Sequence, residues 1–276
     1  MTTAAQEEPM PRIRVVVAGA TGWTGRAVAE AVLAADDLVL TAAVARSAAG
    51  TDLGTSWGVE PNGVPVLASV DEALDDADVF VDFTAPEAVM AAALGAIRRG
   101  VRVVIGTSGL TADDYSLIAA AADDAGIGVV AAGNFSLTAA MAQAAALLVA
   151  PYLPNREVID YASEAKPDSP SGTAREIADR LAEVQTTLAV PIARTVGAVE
   201  ARGATIAGTQ VHSVRLPGFV LSTEVVFGLP DERLVIRHDA GGSPAPYVAG
   251  ALLAVRAVMN RTGLVRGLDT LLLRET

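Results

Sequence analysis

The stretch VVVAGATGWTGRAV, residues 15–28, places Gly19, Gly22 and Gly25 between a run of β-branched residues and a run typical of a helix. The pattern predicts a strand, a tight turn and a helix in direct succession. Glycines in such a turn permit a sharp bend and close approach of a ligand, and the free amides at the helix start bind a pyrophosphate. The alternative is a close-packed glycine turn without a ligand, and the surrounding sequence decides between the two.

From Arg12 to Ala132 that surrounding sequence alternates short β-branched runs with alanine-rich helical stretches. The alternation is typical of βαβ units and predicts a parallel sheet covered by helices on both faces. Pro86 suits the first turn of a helix, and Thr111 followed by two aspartates suits another helix start. The predicted strands are IRVVVAGA, LVLTAAVA, DVFVDF, VRVVIG and IGVVAAG. The glycine turn is then the first strand-to-helix junction of a Rossmann-type α/β domain, which favours a dinucleotide-binding loop.

After a predicted helix near residues 139–149 the pattern changes. A strand near EVIDYA and a helix from Gly172 to about Val184 are followed by three runs with a period near two, TQVHSVRL, LSTEVVFG and RLVIRHD. These three runs predict an antiparallel sheet, and YVAGALLAVRAVM predicts a last helix. The second part of the chain is therefore expected to be an α+β domain with a mainly antiparallel sheet.

The composition excludes several classes of protein. A net charge of −12 with only 20 lysine and arginine residues argues against nucleic acid or an anionic membrane surface as a partner. The absence of cysteine and the presence of two histidines give no basis for a metal site. The longest uncharged run, LTAAMAQAAALLVAPYL, contains Gln143 and predicts a buried helix rather than a membrane span. Residues 1–12 predict a disordered tail rather than a signal peptide, and a cytoplasmic location is expected.

The end of the second predicted strand, VARS, indicates which dinucleotide binds. An acidic residue there would bind the ribose hydroxyls of NAD and repel an added 2'-phosphate. Ala45 leaves the acidic position empty, while Arg46 and Ser47 offer a cation and a hydroxyl. The sequence therefore favours NADP(H) over NAD(H), the alternative being that Arg46 is an ordinary solvated arginine.

The stretch KPDSPSGTA, residues 166–174, combines a lysine with a predicted helix start. Ser171 or Thr173 can cap the helix, and the amides of Gly172 and Thr173 can bind a carboxylate with Lys166 as its counter-charge. On its own this pattern is also compatible with an ordinary N-cap beside a solvated lysine.

Seven blocks of the sequence, taken in order, resemble the dihydrodipicolinate reductase family of the lysine and diaminopimelate pathway. The blocks are VAGATGWTGRAV, VDFTAPEAV, VIGTSGLT, GNFSLT, KPDSPSGTA, GTQVHSVRLPG and LVIRHDA. The resemblance implies an NAD(P)H-dependent reductase that transfers hydride to a cyclic imine or conjugated dicarboxylate. It also implies that residues 13–134 and 241–276 form the dinucleotide-binding domain, that residues 135–240 bind the substrate, and that the antiparallel sheet builds a homotetramer, or a dimer.

The same resemblance assigns residues to two sites. The cofactor site comprises Gly19, Ala20, Thr21, Gly22, Trp23, Thr24, Arg46, Ser47, Phe83, Gly106, Thr107, Ser108, Gly133, Asn134 and Phe135. The substrate site comprises Ser163, Lys166, Ser171, Gly172 and Thr173, and its partner is a small carboxylate.

One departure from the family lies in the substrate loop. The family usually carries two histidines four and three residues before the lysine, the first of them the expected proton donor, and this chain has Ala162 and Ser163 there. Lys166 is then the best remaining catalytic acid, with Tyr161 or Glu164 as alternatives.

Three functions stay open on the sequence. The first is the reductase of the lysine pathway, the second a reductase or amine dehydrogenase of the same fold that acts on a different imine or keto acid, and the third a non-catalytic NADP-binding protein. His212 and His238, the two histidines, are interpreted as structural.

Overall fold

The computed structural model describes residues 11–185 and 192–274, so residues 1–10 of the predicted tail lie outside the described residues. The strands are β1 (Ile13–Ala18), β2 (Leu38–Val44), β3 (Val66–Leu67), β4 (Val79–Asp82), β5 (Arg102–Ile105), β6 (Gly128–Ala131), β7 (Arg156–Ala162), β8 (Ala204–Ile206), β9 (Thr209–Arg215), β10 (Leu221–Leu229), β11 (Glu232–Ala240) and β12 (Gly263–Arg266). The helices are α1 (Trp23–Ala34), α2 (Leu53–Ser56), α3 (Val70–Ala73), α4 (Pro86–Arg98), α5 (Ala112–Ala125), α6 (Leu137–Val149), α7 (Gly172–Val184), α8 (Ala245–Val258) and α9 (Leu268–Arg274).

Seven strands form one sheet in the order β12-β6-β5-β4-β1-β2-β3. β1 pairs in parallel with β2 and β4, β2 pairs in parallel with β3, and β4 pairs in parallel with β5. Val15, Val16 and Val17 of β1 are fully buried, as expected of a central strand covered on both faces. The predicted Rossmann-type fold is confirmed. The two edge strands, β3 and β12, were not predicted, and β3 has only two residues, too few to show a period.

Two helices of this sheet begin where the sequence predicted. α4 has Pro86 in its first turn, where the missing N–H is not needed. Thr111 caps α5: its hydroxyl accepts from the amide of Asp114 at 3.2 Å, and the carboxylate of Asp114 accepts from the amide of Thr111 at 2.8 Å. This reciprocal pair is a capping box.

The second sheet has five strands in the order β11-β10-β7-β9-β8. Its pairs are antiparallel except that β7 and β9 run parallel. The three period-two runs therefore do not form one antiparallel sheet by themselves, because β7 lies between β9 and β10. The period shows which face each side chain occupies but not which strand is its neighbour. The chain passes through α7 between β7 and β9, and a helical crossover permits parallel pairing.

β7 and α7 pack together through their buried faces. Arg156, Val158, Asp160 and Ala162 are the buried positions of β7, at alternate residues along the strand. The buried face of α7 includes Ala174, Ile177, Ala178 and Leu181, with the spacing of one helical face, and these residues join Val158 in one apolar cluster. Asp160 and Ala162 therefore face the helix layer rather than the opposite side of the sheet.

The long uncharged run forms the helix α6, as predicted, but only one of its faces is buried. Ala140, Gln143 and Ala144 lie on that face, whereas Leu148 is 73% exposed. Within residues 11–185 and 192–274, no helix is long and apolar enough to cross a membrane.

Contacts divide the chain into two compact units. The first runs to Val130 and includes Ala251–Leu264, and the second comprises Ala131–Gly250 with the residues from Val265 onward. The predicted assignment of one domain to the dinucleotide and the other to the substrate stays a prediction at this level.

Candidate active site

The turn after β1 requires its glycines for steric reasons. Gly19 has a φ of +78°, and a Cβ at this residue would overlap the carbonyl oxygen of Phe83. A Cβ at Gly25 would overlap the carbonyl oxygen of Gly19, which also accepts from the amide of Gly22 at 2.8 Å. A larger residue at Gly19 or Gly25 would therefore force the backbone to move.

The same turn ends at an open helix start. Gly22 is the N-cap of α1 and gives no side-chain cap, and the first turn of α1 has no acidic residue. Trp57 holds the turn from outside, since its Nε1 donates to the carbonyl oxygen of Ala20 at 2.9 Å. A narrow turn without room for a Cβ at Gly19 or Gly25, followed by a helix start without a side-chain cap, fits the pyrophosphate of a dinucleotide. Trp57 was missed because it lies 37 residues from the turn.

The end of β2 leaves a cation exposed. Ala45 is buried, and Arg46 and Ser47 are exposed in a short 3₁₀ turn, Arg46–Ala48. Within the described part of the chain, Arg46 has no carboxylate partner. Its charge is thus available to an anionic group.

Asp82, at the end of β4, ties two predicted cofactor loops together. It is fully buried, and its Oδ1 accepts from the hydroxyls of Thr84 and Thr107 at 2.7 and 2.5 Å. Its Oδ2 is buried without a hydrogen-bond partner among the described residues. Asp82 was not predicted, although a carboxylate directly after a buried apolar strand is a signal that sequence analysis could have used.

Phe83 and Gly106 interlock beside this carboxylate. The Phe83 ring occupies the space that a Cβ at Gly106 would need. Glycine is therefore needed at this position because of the Phe83 side chain and not because of the backbone conformation. Ser108, two residues further on, is exposed. The structure thus brings together Gly19, Phe83, Gly106 and Thr107 of the predicted cofactor set, all of them in the first compact unit.

Gly133, Asn134 and Phe135, the remaining predicted cofactor residues, lie in the second unit. The side chain of Asn134 is held on both sides, because its Oδ1 accepts from the amide of Ser136 at 2.8 Å and its Nδ2 donates to Thr173 Oγ1 at 3.4 Å. Phe135 is only 2% exposed, so its side chain belongs to the core.

The start of α7 distinguishes the two predicted capping residues. Ser171 is the cap, since its Oγ accepts from the amide of Ala174 at 3.2 Å. Thr173 is not, because its hydroxyl donates to the carbonyl oxygen of Gly133 at 3.1 Å. The buried Thr173 therefore connects α7 to the Gly133–Asn134 segment.

Lys166 is the only lysine among the 20 lysine and arginine residues of the chain. Its Nζ lies 2.7 Å from Asp168 Oδ1, and the guanidinium of Arg175 lies 4.0 Å from Asp168 Oδ2. Burial opposes ionisation of Asp168, but the hydrogen bond and charge of Lys166 outweigh it and lower the pKa of this carboxyl. The ammonium group is thus held in place by a carboxylate that stays ionised near neutral pH.

Ser163 shapes the loop before this lysine. Its carbonyl oxygen accepts from the amide of Lys166 at 3.0 Å, and its Oγ accepts from the amide of Ala165 at 3.3 Å. These bonds form a turn that leads from β7 to Lys166.

An ion pair with a buried carboxylate anchors the other end of the loop. Arg215 of β9 donates to Asp160 Oδ2 and to the carbonyl oxygen of Asp168, each at 2.7 Å. Asp160 is fully buried, and its Oδ2 also accepts from the amide of Ser171 at 2.8 Å. This pair was not predicted. A carboxylate on the buried face of the period-two pattern of β7 was the signal for it.

The alternative proton donors lie elsewhere. The Tyr161 ring lies on the other face of the sheet from Asp160, stacked on Phe219 with centroids 5.1 Å apart, and burial followed by the charge of Glu224 raises its pKa. Glu164 is exposed. Tyr161 is therefore a poor candidate for the catalytic acid.

Both histidines make contacts that suit the structural role predicted for them. His212 Nε2 lies 2.8 Å from Glu157 Oε2, and His238 Nε2 lies 3.1 Å from Thr138 Oγ1. Burial lowers the pKa of His238.

Several known proteins resemble this chain over nearly its full length. A 4-hydroxy-tetrahydrodipicolinate reductase of Cyanothece sp. is 40% identical over 270 residues, which cover 94% of this chain and 98% of the relative. The enzyme of the same name from Moorella thermoacetica is 38% identical over 262 residues, with coverage of 94% and 98%.

Solved structures agree with these relatives. A dipicolinate-bound dihydrodipicolinate reductase from Paenisporosarcina sp. superimposes with a TM-score of 0.75 at 30% identity, covering 94% of this chain and 99% of that one. An amine dehydrogenase from Mycobacterium smegmatis, at 14% identity and a TM-score of 0.63, shares the fold alone.

Family models described as dihydrodipicolinate reductase, N-terminus and C-terminus, match residues 13–135 and 133–272. The glycine turn lies in the first match and the lysine loop in the second. With both halves matched and relatives near 40% identity, the chain belongs to the dihydrodipicolinate reductase family.

Proposed function

We propose that the chain is an NADPH-dependent 4-hydroxy-tetrahydrodipicolinate reductase of the lysine and diaminopimelate pathway. The observation that carries the proposal is the loop of residues 163–173, which places the single lysine and a helix start in one segment. The names and lengths of the relatives support the same activity.

The loop suits a carboxylate substrate. Ser171 satisfies only the amide of Ala174, and the first amides of a helix have no acceptor within the helix. The amides of Gly172 and Thr173 are proposed to bind one carboxylate of the substrate, with Lys166 as its counter-charge. Asp160 and Arg215 hold the loop in place while it does so.

Lys166 is also the proposed proton donor. Reduced nicotinamide, when bound, supplies the hydride. Its addition to an imine or conjugated bond builds up electron density that a positioned acid neutralises. An ammonium group can release a proton, whereas the guanidinium of arginine cannot, so the single lysine of the chain is suited to this role.

The preference for NADPH is proposed from the end of β2. Ala45 offers no carboxylate to the ribose hydroxyls, and the exposed Arg46 is available to the 2'-phosphate. The turn from Gly19 to Thr24, with the open start of α1, would hold the pyrophosphate. Phe83, Gly106, Thr107, Ser108, Gly133, Asn134 and Phe135 complete the proposed cofactor set.

A second candidate substrate is another cyclic imine or keto acid. Ala162 and Ser163 favour it, because they remove two imidazole groups from the segment that the family uses for protonation and binding. Ala162 is also fully buried, so a histidine there would require repacking of the loop.

A homotetramer, or a dimer, is proposed as the assembly. Leu234 and Val235 of the edge strand β11 are 40% and 42% exposed, and a second copy would cover them by closed symmetry. Sedimentation at micromolar concentration measures this, and a stable monomer would contradict it. The expected cytoplasmic location stays a prediction.

The activity is tested by turnover. NADPH oxidation is followed with enzymatically prepared 4-hydroxy-tetrahydrodipicolinate, and then with a panel of cyclic imines and keto acids. Turnover with the first substrate supports the proposal. Turnover only with a member of the panel supports the second candidate, and NADPH binding without any turnover supports the non-catalytic alternative.

A further inference from the structure

α7 holds the backbone of Gly133 at two atoms. Thr173 Oγ1 donates to the carbonyl oxygen of Gly133 at 3.1 Å, and the amide of Gly133 donates to Glu176 Oε2. Thr173 and Glu176 are three residues apart, so they project from the same face of the helix. The position of this backbone therefore depends on α7 as well as on the end of β6.

The Glu176 carboxylate is itself held by residues of other helices. Gln143 of α6 donates through its Nε2 to Glu176 Oε1 at 3.3 Å and to Asp269 Oδ1 of α9 at 3.0 Å. Asp269 is 2% exposed and pairs with Arg180. Both oxygens of Glu176 thus have a donor, and three helices contribute to the network.

Burying the Glu176 carboxylate costs free energy, because the charge loses its contact with water. Burial raises the pKa of Glu176, while the Gly133 amide, Gln143 and the charges of Arg180 and Arg266 oppose that rise. An apolar side chain would pack here without the penalty of desolvating a carboxylate. A buried carboxylate with a partner on each oxygen instead defines one arrangement of the groups that it bonds.

We propose that Glu176 is a positioning residue of the reductase, which sets the place of Gly133 and Asn134 for the nicotinamide nucleotide. The inference rests on the proposed function, in which these two residues belong to the cofactor site. Glutamine is not equivalent to glutamate at this position, because one of its two polar atoms is a donor. That donor would face the amide of Gly133 or the amide nitrogen of Gln143, which are donors themselves.

The test compares Glu176→Gln with Glu183→Gln in the full chain. Glu183 lies on the same helix with its side chain 63% exposed, so it controls for the loss of a carboxylate from α7. We measure kcat, KM and the unfolding temperature, and obtain the NADPH Kd from the fluorescence of the bound reduced nicotinamide. Displacement of Gly133 and Asn134 in Glu176→Gln should lower kcat about 10- to 100-fold and raise the NADPH Kd. The control should stay within about twofold.

Gly133→Ala provides an independent approach to the same contact. A Cβ at this position would lie 2.5 Å from Glu176 Oε2, so it displaces the carboxylate without changing it. The same fall in kcat is expected, and if Glu176→Gln does not fold, a folded Gly133→Ala with kcat and NADPH Kd within about twofold of the parent would overturn the inference.

Two outcomes separate this inference from the proposed function. Folded Glu176→Gln with kcat and NADPH Kd both within about twofold of the parent would overturn the inference while leaving the activity intact. A parent chain without turnover, in which Glu176→Gln still weakens NADPH binding, would contradict the proposed activity and support the positioning role.

Discussion

The turn at residues 19–25 and the loop at residues 163–173 both lead into a helix and both suit an anion, but different forces hold them. The first is maintained by backbone sterics, since a Cβ at Gly19 or Gly25 has no room. The second is maintained by charge, through the pair of the fully buried Asp160 with Arg215 and the half-buried pair of Lys166 and Asp168.

The difference means that the two segments should respond to different changes. The glycine turn has few side chains to lose, so substitutions that add atoms should damage it most. The lysine loop depends on single charged groups, so removing Arg215 would leave the buried Asp160 without its counter-charge. Variants that remove a charge should therefore affect the lysine loop more than the glycine turn.

The largest effect is expected from Lys166→Met. Loss of the proposed acid should lower kcat about 10²–10⁴-fold, while the NADPH Kd stays unchanged because no cofactor contact is assigned to this side chain. Lys166→Arg is the matched control: it keeps the positive charge but cannot release a proton. Stopped-flow and steady-state assays should find KM better preserved in Lys166→Arg than in Lys166→Met, with kcat low in both. Normal kcat in Lys166→Met would move the proton source to Glu164 or to water.

Arg215→Met tests the charge-based anchoring of the loop. It leaves the fully buried Asp160 without its counter-charge, and breaking such a pair is expected to lower the free energy of unfolding by about 3–5 kcal/mol. Urea unfolding measures the change. Arg99→Met, which removes a 41% exposed arginine from its acidic partners, should lower it by less than about 1 kcal/mol. Equal losses in the two variants would show that burial does not distinguish the pairs.

Arg46→Ala tests the cofactor side of the comparison. The parent should bind NADPH more tightly than NADH, and the variant should lose most of that difference, about tenfold or more in Kd. The NADH Kd and the substrate KM should hardly change. Arg98→Ala removes another exposed arginine of the same unit and should leave both cofactor affinities unaltered. Equal affinities for NADPH and NADH in the parent would contradict the prediction.

The smallest effect is expected in the pH dependence of stability. Because the pKa of Glu176 is raised, the folded state keeps this proton at pH values where the unfolded state has lost it. The contribution of Glu176 to stability should therefore fall as pH rises above its ordinary pKa of 4.5 and level off above the raised value.

Glu176→Gln should lack that fall, so the relevant quantity is the parent-minus-variant difference in the free energy of unfolding as a function of pH. Burial also raises the pKa of Asp179 and lowers the pKa of His238. Both groups titrate in the parent and in the variant, so their contributions cancel in the difference. The charged groups around Glu176 are Arg180, Arg266 and Asp269. A difference that is flat with pH would show that Glu176 titrates normally in the fold.

How well the sequence predicted the structure depended on how local each feature is. The turn from Gly19 to Gly25 and the cap at Thr111 follow from neighbouring residues and were predicted from short motifs, as was a cap at Ser171 or Thr173. The neighbours of β9 were not, because alternation along a strand carries no information on which strand pairs with it.

The candidate site also contains local features that the sequence predicted and distant contacts that it did not. The residues of both loops were recognised from their order along the chain, but the groups that support them lie far away in sequence. Arg215 is 55 residues from Asp160, and Glu176 is 43 residues from Gly133. Such contacts exist only once α7 has packed on its sheet, so no motif of a single segment reveals them.

The single lysine has a further consequence for spectroscopy. Reductive methylation with isotope-labelled formaldehyde modifies amines and leaves arginine untouched, so this chain would carry one labelled side chain, at residue 166, beside its α-amine. The dimethylated nitrogen keeps its positive charge. Its NMR signal would then report the ionisation of this group and its response to carboxylate ligands, with the α-amine as the only other labelled group.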